Sequence, residues 1–440
     1  MSGANSTVNQ KVLIGAQSAT DTPVTPTRQF SNTTVNFTEE LETNSYRPAG
    51  SKVNKTIVVN DITGKGDYSG VLSFIESLYF FESYVGSGGS GPDTLAGGGK
   101  KWLYMPALGD IDPYVLFTLQ RGSLQRGHQT NDALFNSIVI NLSRKGAQVS
   151  GEILAKGVTP GVTMNLARNE VQQIAKTGTP TAGTFTITYS GQTTTAIAYN
   201  ASAATIKAAL EALSNIAVGD VTVTGGPLPN TAIVVKFRGA LAAQNLTQMT
   251  FDSTSVTGGT FAVSTTTQGS AGATELDSAP VSGSQINIYL DEAYNDIGTT
   301  EIEDNFTAQI TLPPKYIPKR VMGRSHASWK EPGEQAMEPT CVITMEANTY
   351  SDALYATAKE NGVDGVPTQY VRVDAIGAEI PGATDHFEWV FDMPLKLKGA
   401  VPNGDTDGID SYVFTFELVE DDDMGSWFET YFVNNLASLN

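Results

Sequence analysis

One cysteine, three histidines, a short supply of positive charge and no long apolar run set the first limits on this 440-residue chain. Cys341 alone excludes an intramolecular disulfide framework and suits synthesis in a reducing cytoplasm. It lies in the alternating run TCVITM, where a small buried hydrophobe is the expected role. His128, His326 and His386 are not paired at metal or catalytic spacing, and each falls in a polar loop or at a strand entry. Solvated or structural histidines are expected rather than a general base. Lys and Arg number 27 against 46 Asp and Glu, a formal charge of −19. A nucleic-acid binder needs a basic footprint to neutralise phosphates, so that class is disfavoured. A surface that nucleic acid passes without sticking remains compatible. No apolar stretch approaches the roughly 20 residues of a membrane helix. The opening MSGANSTVNQ lacks the basic and apolar regions of a secretory signal. Without secretion, Asn-x-Ser/Thr triplets such as those at Asn36 and Asn305 carry no weight.

Motifs with chemistry are equally scarce. AGGGKKW suggests a phosphate loop, but Thr94 stands where its first Gly belongs, and Lys101 follows Lys100 in place of Ser or Thr. The Gly-rich run from Gly86 to Gly99 therefore reads as a loop. No Gly-x-Ser-x-Gly elbow occurs. In NGDTDG, Asn403, Asp405 and Asp407 alternate like the first half of a calcium-binding EF-hand loop. Phe414 occupies the twelfth position where Glu is needed, and a strand follows in place of a helix, so an Asp/Gly hairpin turn is the better reading. EDDDM at 420–424 reads as a solvated acidic loop. Neither an enzyme, a cofactor nor a metal is expected.

What is present is β-sheet signal and repetition. Forty per cent apolar residues, 43 Gly and many Thr predict a mainly β (α+β) chain of two to three domains. Ile286, Ile288 and Leu290 alternate, as do Phe306, Ala308, Ile310 and Leu312, and Tyr412, Phe414, Phe416 and Leu418. SYRPAGSKVNKTIVVNDITGKGDYSGVL, from Ser45, has a counterpart in SWKEPGEQAMEPTCVITMEANTYSDAL, from Ser328, 283 positions on. VLIGAQ from Val12 matches INIYLD from Ile286, and FNSIVINLSRKGA from Phe135 matches FEWVFDMPLKLKGA from Phe387. Each copy reads as strands, a polar arm (about Glu39–Lys55 and Met322–Pro339), an inner strand, a helix and closing strands. The first helix is expected to start near Asp67 with Val71, Phe74, Ile75 and Leu78 on one face. Its counterpart is expected near Asn348.

The sequence between the copies is of another kind. Residues 181–275 hold seven charged side chains and twenty Thr. Strands around Ser190-Gly191, a helix in ASAATIKAALEAL and three further strands predict a small ββαβββ module. The Gly/Thr/Pro margins TGTPTAG and QGSAGAT read as linkers. The expected organisation is a first unit at 1–178, an inserted module at 179–276 and a second unit at 277–440.

The duplicated unit, with arms SYRPAG and SWKEPG ahead of an inner strand and helix, resembles the major tail tube proteins of long-tailed (siphovirus-type) bacteriophages. QINIYLDEAYNDIGTTEI looks like strands of tail proteins of that kind, and the insert resembles a module recurring in phage structural proteins. The resemblance implies two tandem β-sandwich-like tube units stacked as rings into a conduit for genome delivery. It implies a virion protein assembled in the host cytoplasm, with itself, the tape measure, the tail terminator and tail-tip proteins as partners. DNA passes through the lumen without specific binding, and no membrane is involved. Two units per chain predict a homotrimeric, pseudo-sixfold ring. Tyr46, Arg47, Trp329 and Lys330, on the arms, are expected to contact a neighbouring subunit or ring. A virion decoration protein would need no tandem units, and a bacterial surface adhesin would need a secretion signal.

Overall fold

Alternating side chains dictate most of the strands. Ile138, Ile140 and Leu142 are buried while Val139, Asn141 and Ser143 are partly open. Cys341, Ile343 and Met345 repeat the pattern, as do Phe414, Phe416 and Leu418. A computed structural model describes residues 10–86, 91–109, 111–124, 126–321, 329–360, 367–402, 406 and 408–440. The chain is mainly β and forms two compact units: Met1–Met164 with Glu275–Asn440, and Asn165–Thr274.

In the larger unit the first half supplies β1 (Lys11–Ala16), β2 (Thr33–Tyr46), β3 (Thr56–Val71) and α1 (Ser77–Tyr84). It continues with β4 (Lys100–Tyr104), β5 (Phe117–Gly122), β6 (Gly127–Phe135), β7 (Ile138–Ser143) and β8 (Gly146–Ala155). The second half supplies β9 (Ile286–Asp291), β10 (Asn305–Leu312), β11 (Tyr316–Lys319), β12 (Glu331–Glu334) and β13 (Thr340–Glu346). Then come α2 (Thr349–Glu360), β14 (Thr368–Glu379), β15 (His386–Pro402), β16 (Ser411–Leu418) and β17 (Glu429–Asn434).

Antiparallel pairing joins β2–β3–β8–β7 in the first half. It joins β10–β13–β16–β15 in the second. The two four-strand sets share one connectivity. An arm links the first two strands, a helix follows the second, and the last strand in the chain inserts beside it. β7 then pairs with β10, so the two sets become a single eight-stranded run. A second layer holds β1–β5–β6 from the first half and β9–β14–β15–β17 from the second, with β4 of the first half paired to β17. β15 serves both layers: residues up to Lys396 pair with β14, and Leu395–Pro402 pair with β16.

One apolar core lies between the layers and draws on both halves. Every residue of α1 is buried, as expected of a helix without a polar face. The Phe81 ring lies 6.0 Å from Phe391 and 5.6 Å from Phe432, and Asn434 donates to the Phe74 carbonyl at 2.8 Å. The two halves of this unit are therefore not separate domains. Buried Glu76, just before α1, accepts from Ser31 N, Ser31 Oγ, Asn32 N and Thr33 Oγ1 at 2.6–2.9 Å and pins the start of β2.

Two local readings change. The polar segment Glu39–Lys55 is mostly a β-hairpin, because β2 runs to Tyr46 and β3 begins at Thr56. The first helix starts at Ser77, and Asp67 is a strand residue paired with Asn36 on one side and Glu152 on the other. Two ladders outweigh the local helical spacing there. Tyr68 consequently lies within a strand while Tyr350 is in the first turn of α2, so that part of the textual match does not carry a shared structure.

The smaller unit is built on a long strand, Val171–Tyr189, paired over much of its length with Val256–Thr267. The helix Ala203–Glu211 is capped by Ser202, whose Oγ accepts from Thr205 N at 3.2 Å. Ile174, Phe185, Ile206, Leu210, Val235 and Phe237 belong to its own core. TGTPTAG lies inside the long strand, with a register shift between Gly178 and Ala182, and is not a linker.

Candidate assembly surface

Three features of the larger unit are open to a partner: its sheet edges, its first arm and the bare face of the eight-stranded run. The edges follow from the internal junction. Across β7 and β10, Ile140 faces Ile310 in the core, and on the opposite face Gln309 Nε2 donates to Asn141 Oδ1 at 2.6 Å. β2 occupies in the first half the place of β10, and the Leu397–Pro402 stretch of β15 occupies the place of β7. Among the described residues, β2 pairs with β3 alone, and Leu397–Pro402 pair with β16 alone. Each end of the run therefore presents an unsatisfied strand edge, and Val401 is 63% exposed.

The two arms differ. Beyond Glu39 the β2–β3 hairpin is exposed and carries Leu41, Tyr46, Val53 and Ile57 in the open, Tyr46 at 57%. Arg47, in the turn after β2, is also exposed. A groove of about 540 Å³ at the arm's base is lined by Leu41, Thr63 and Pro318, beside the Arg320–Asp61 ion pair. The root of the second arm, β11–β12, folds onto the first half instead. Tyr316 and Trp329 are buried against Leu116, Leu134 and Leu154, and Trp329 Nε1 donates to the Ala155 carbonyl at 3.5 Å. Trp329 thus points inward, whereas Lys330 is exposed.

Two buried lysines support this root. Lys156 pairs with Asp132 at 2.6 Å and Asp21 at 2.5 Å, and its Nζ lies 4.9 Å from the Trp329 ring centroid. Lys315 pairs with Asp112, lies 3.4 Å from Glu334 and donates to the Tyr84 carbonyl at 3.0 Å. Burial pushes the Tyr84 and Tyr316 hydroxyls well above the usual tyrosine range.

The bare face is assembled by register. One row crosses the first half through Thr34, Ser69, Ser150 and Val139. It continues through Thr311, Thr340, Glu417 and Lys396 in the second. The next row holds Gln148, Asn141, Gln309, Val342 and Thr415. A third holds Ser143, Thr307, Thr344 and Val413. Hydroxyls and amides dominate, and Glu417 has Lys396 as its cross-strand partner and Lys398 at 3.1 Å. Asp67 and Glu152 flank this band toward the first arm, and Glu346 lies at its far margin. In the second layer Arg372 holds Asp392 through two 2.7 Å bonds, close to Asp374 and Glu429, whose carboxyls burial raises.

His128 lies in β6 and His386 opens β15, while His326 lies outside the described residues, as do Asn403, Asp405 and Asp407. Among the described residues, no group of three or more His, Cys, Asp or Glu is placed to hold a metal, and no helix is long and apolar enough to cross a membrane. Sequence reasoning named Tyr46, Arg47, Trp329 and Lys330 on the arms, and did not single out which strands form the edges or the bare face. The polar half of each alternation was its visible trace.

No family model matches this chain, and no curated protein matches it. A solved structure from Mycobacterium phage Patience is similar over 27% of this chain and 45% of its own length, at 21% identity and a TM-score of 0.17. A match this partial defines neither fold nor role.

Proposed function

We propose that the chain is a structural subunit that closes into rings and stacks as the tail tube of a long-tailed phage, a conduit for DNA. The observation that carries this reading is the β7–β10 junction. It joins two like-connected sets of four strands and leaves at the ends the same two kinds of edge that it consumes inside. An edge pair of this sort is a liability unless another copy satisfies it, and a head-to-tail ring satisfies every one. Three chains of eight strands give ~24 strands, and at ~4.8 Å spacing and ~40° tilt a barrel ~48 Å across between backbones. Such a ring is a homotrimer with pseudo-sixfold symmetry. The tape measure, terminator and tail-tip proteins are its implied partners, and the virion its location.

The test pairs Thr34→Cys on β2 with Val401→Cys, or in turn Gly399→Cys, on β15. Under mild oxidation at least one pairing should give covalent species of two and three chains, while single variants give none. Negative-stain microscopy of the unmodified protein should show rings or tubes. Free knobs would favour a decoration protein, and persistent monomers would defeat the assembly reading.

A further inference from the structure

We infer that Lys315 and Asp112 condense into an amide, an intramolecular isopeptide bond that fastens the first half of the larger unit to the root of the second arm. The bond forms within one chain, whether or not rings assemble. Three reacting groups meet in one buried place. Lys315 Nζ is paired with Asp112 Oδ2 and lies 3.4 Å from Glu334 Oε1. The Lys315 and Asp112 side chains are only 3% and 6% exposed, whereas Glu334 keeps 26%. The surrounding wall is aromatic. Lys315 Nζ stands 5.4 Å from the Tyr84 ring centroid and 5.1 Å from that of Tyr316, and Tyr114 packs on Tyr316 at 5.5 Å. Backbone groups hold each reactant in place. Lys315 Nζ donates to the Tyr84 carbonyl at 3.0 Å. Asp112 Oδ1 accepts from Ala107 N at 2.6 Å, and Asp112 N donates to Glu334 Oε1 at 3.1 Å. Lys156 differs, because the second carboxylate beside it, Asp21, is 55% exposed and open to water.

Burying two opposite charges is costly even when they pair, and an amide removes both. Passing one proton from Lys315 to Asp112 turns the ion pair into a neutral amine and a neutral acid, the form a poorly solvated site tolerates best. The amine lone pair then adds to Asp112 Cγ, and a C–N bond forms. Negative charge developing on Oδ1 meets the Ala107 N–H already aimed at it. Glu334 takes a proton from the attacking nitrogen and returns it to the departing Oδ2 oxygen. The Cγ–Oδ2 bond breaks, Glu334 ends as ionised as it began, and one water leaves on its partly open side. The atoms balance without a further reactant. Holding nucleophile, acyl carbon and proton carrier together supplies the proximity that free side chains lack. The two residues are 203 positions apart, so the bond closes a long loop and keeps the arm root attached when the surrounding fold opens.

The experiment is mass spectrometry of the purified full-length chain after denaturation. The chain should be lighter than its sequence by one water, and proteolysis should release a branched peptide joining the Asp112 and Lys315 segments. Lys315→Arg and Glu334→Gln should each show their full sequence mass, the second with both reacting residues still present. Asp112→Asn should still cross-link, releasing ammonia in place of water. A full sequence mass for the unmodified protein after prolonged incubation means an ion pair only and overturns the inference. A lost water that the peptide map places elsewhere overturns it as well. Unchanged cross-linking in Glu334→Gln overturns the proton transfer assigned to that carboxylate. The unmodified chain by itself decides between bond and ion pair, so a variant that does not fold leaves the test intact.

Discussion

Ile140 and Ile310 stand directly opposite one another across the β7–β10 junction, one from each half of the larger unit, and neither is exposed to solvent. The junction between the halves is thus a packed β-sheet seam, built like any other within the fold. A neighbouring copy would have to reproduce its backbone pairing between Leu397–Pro402 and β2.

The first prediction concerns that seam. Ile140→Ala and Ile310→Ala should each destabilise the chain by about 2–5 kcal/mol, as buried large-to-small changes do. Because the two side chains are cross-strand partners, the double variant should deviate from additivity by ~0.5 kcal/mol or more in chemical denaturation. Strict additivity would deny their contact.

The two arms should respond differently. Tyr46→Ala and Leu41→Ala, both at exposed positions, should shift monomer stability by no more than ~0.5 kcal/mol while weakening assembly measured by sedimentation. Trp329→Ala should instead cost about 3–5 kcal/mol of folding stability, because that ring is buried in its own chain. Undiminished assembly of the Tyr46 variant would exclude the first arm as a contact.

Lys156→Met leaves Asp132, wholly buried, without its cation. A broken buried pair of this kind costs about 3–5 kcal/mol, and adding Asp132→Asn should restore part of the loss. Thermal unfolding of the single and double variants reads both effects.

Cys341 supplies a pH signature. Burial pushes its thiol from the usual value near 9 up to about 12, so the folded state favours the neutral form. Its contribution to stability is whole below the unfolded value and is lost as pH rises toward about 12. Tyr350 and Tyr370, also raised to about 12, act in the same direction. Cys341→Ala should make the alkaline decline shallower, measured by denaturant midpoints from pH 8 upward. In the native protein the thiol should react with a disulfide reagent only as the chain unfolds.

The smaller unit has its own core, so replacing 165–274 by a short Gly/Ser linker should leave the larger unit folded and able to assemble. Circular dichroism and microscopy of the shortened chain test this. A folded product that no longer forms rings would assign the smaller unit a part in the wall.

The mainly β class and a smaller unit with one helix were legible in the sequence, because alternation and a change of composition are local properties of the chain. Strand pairing is not local. Asp67 sits in a segment with helical spacing, yet two neighbouring ladders hold it extended. Trp329 looks like an arm anchor in SWKEPG, yet it is buried because Leu116, Leu134 and Leu154, all from the other half, form its pocket. The apolar positions of β7 and β10 already marked which face each strand would bury. That Asn141 would meet Gln309, and that a band of hydroxyls and amides would run unbroken across both halves, depended on the register between strands some 170 residues apart. A single-residue slip in that register would have exchanged every buried side chain of the strand for an open one, and only packing of the shared core excludes it.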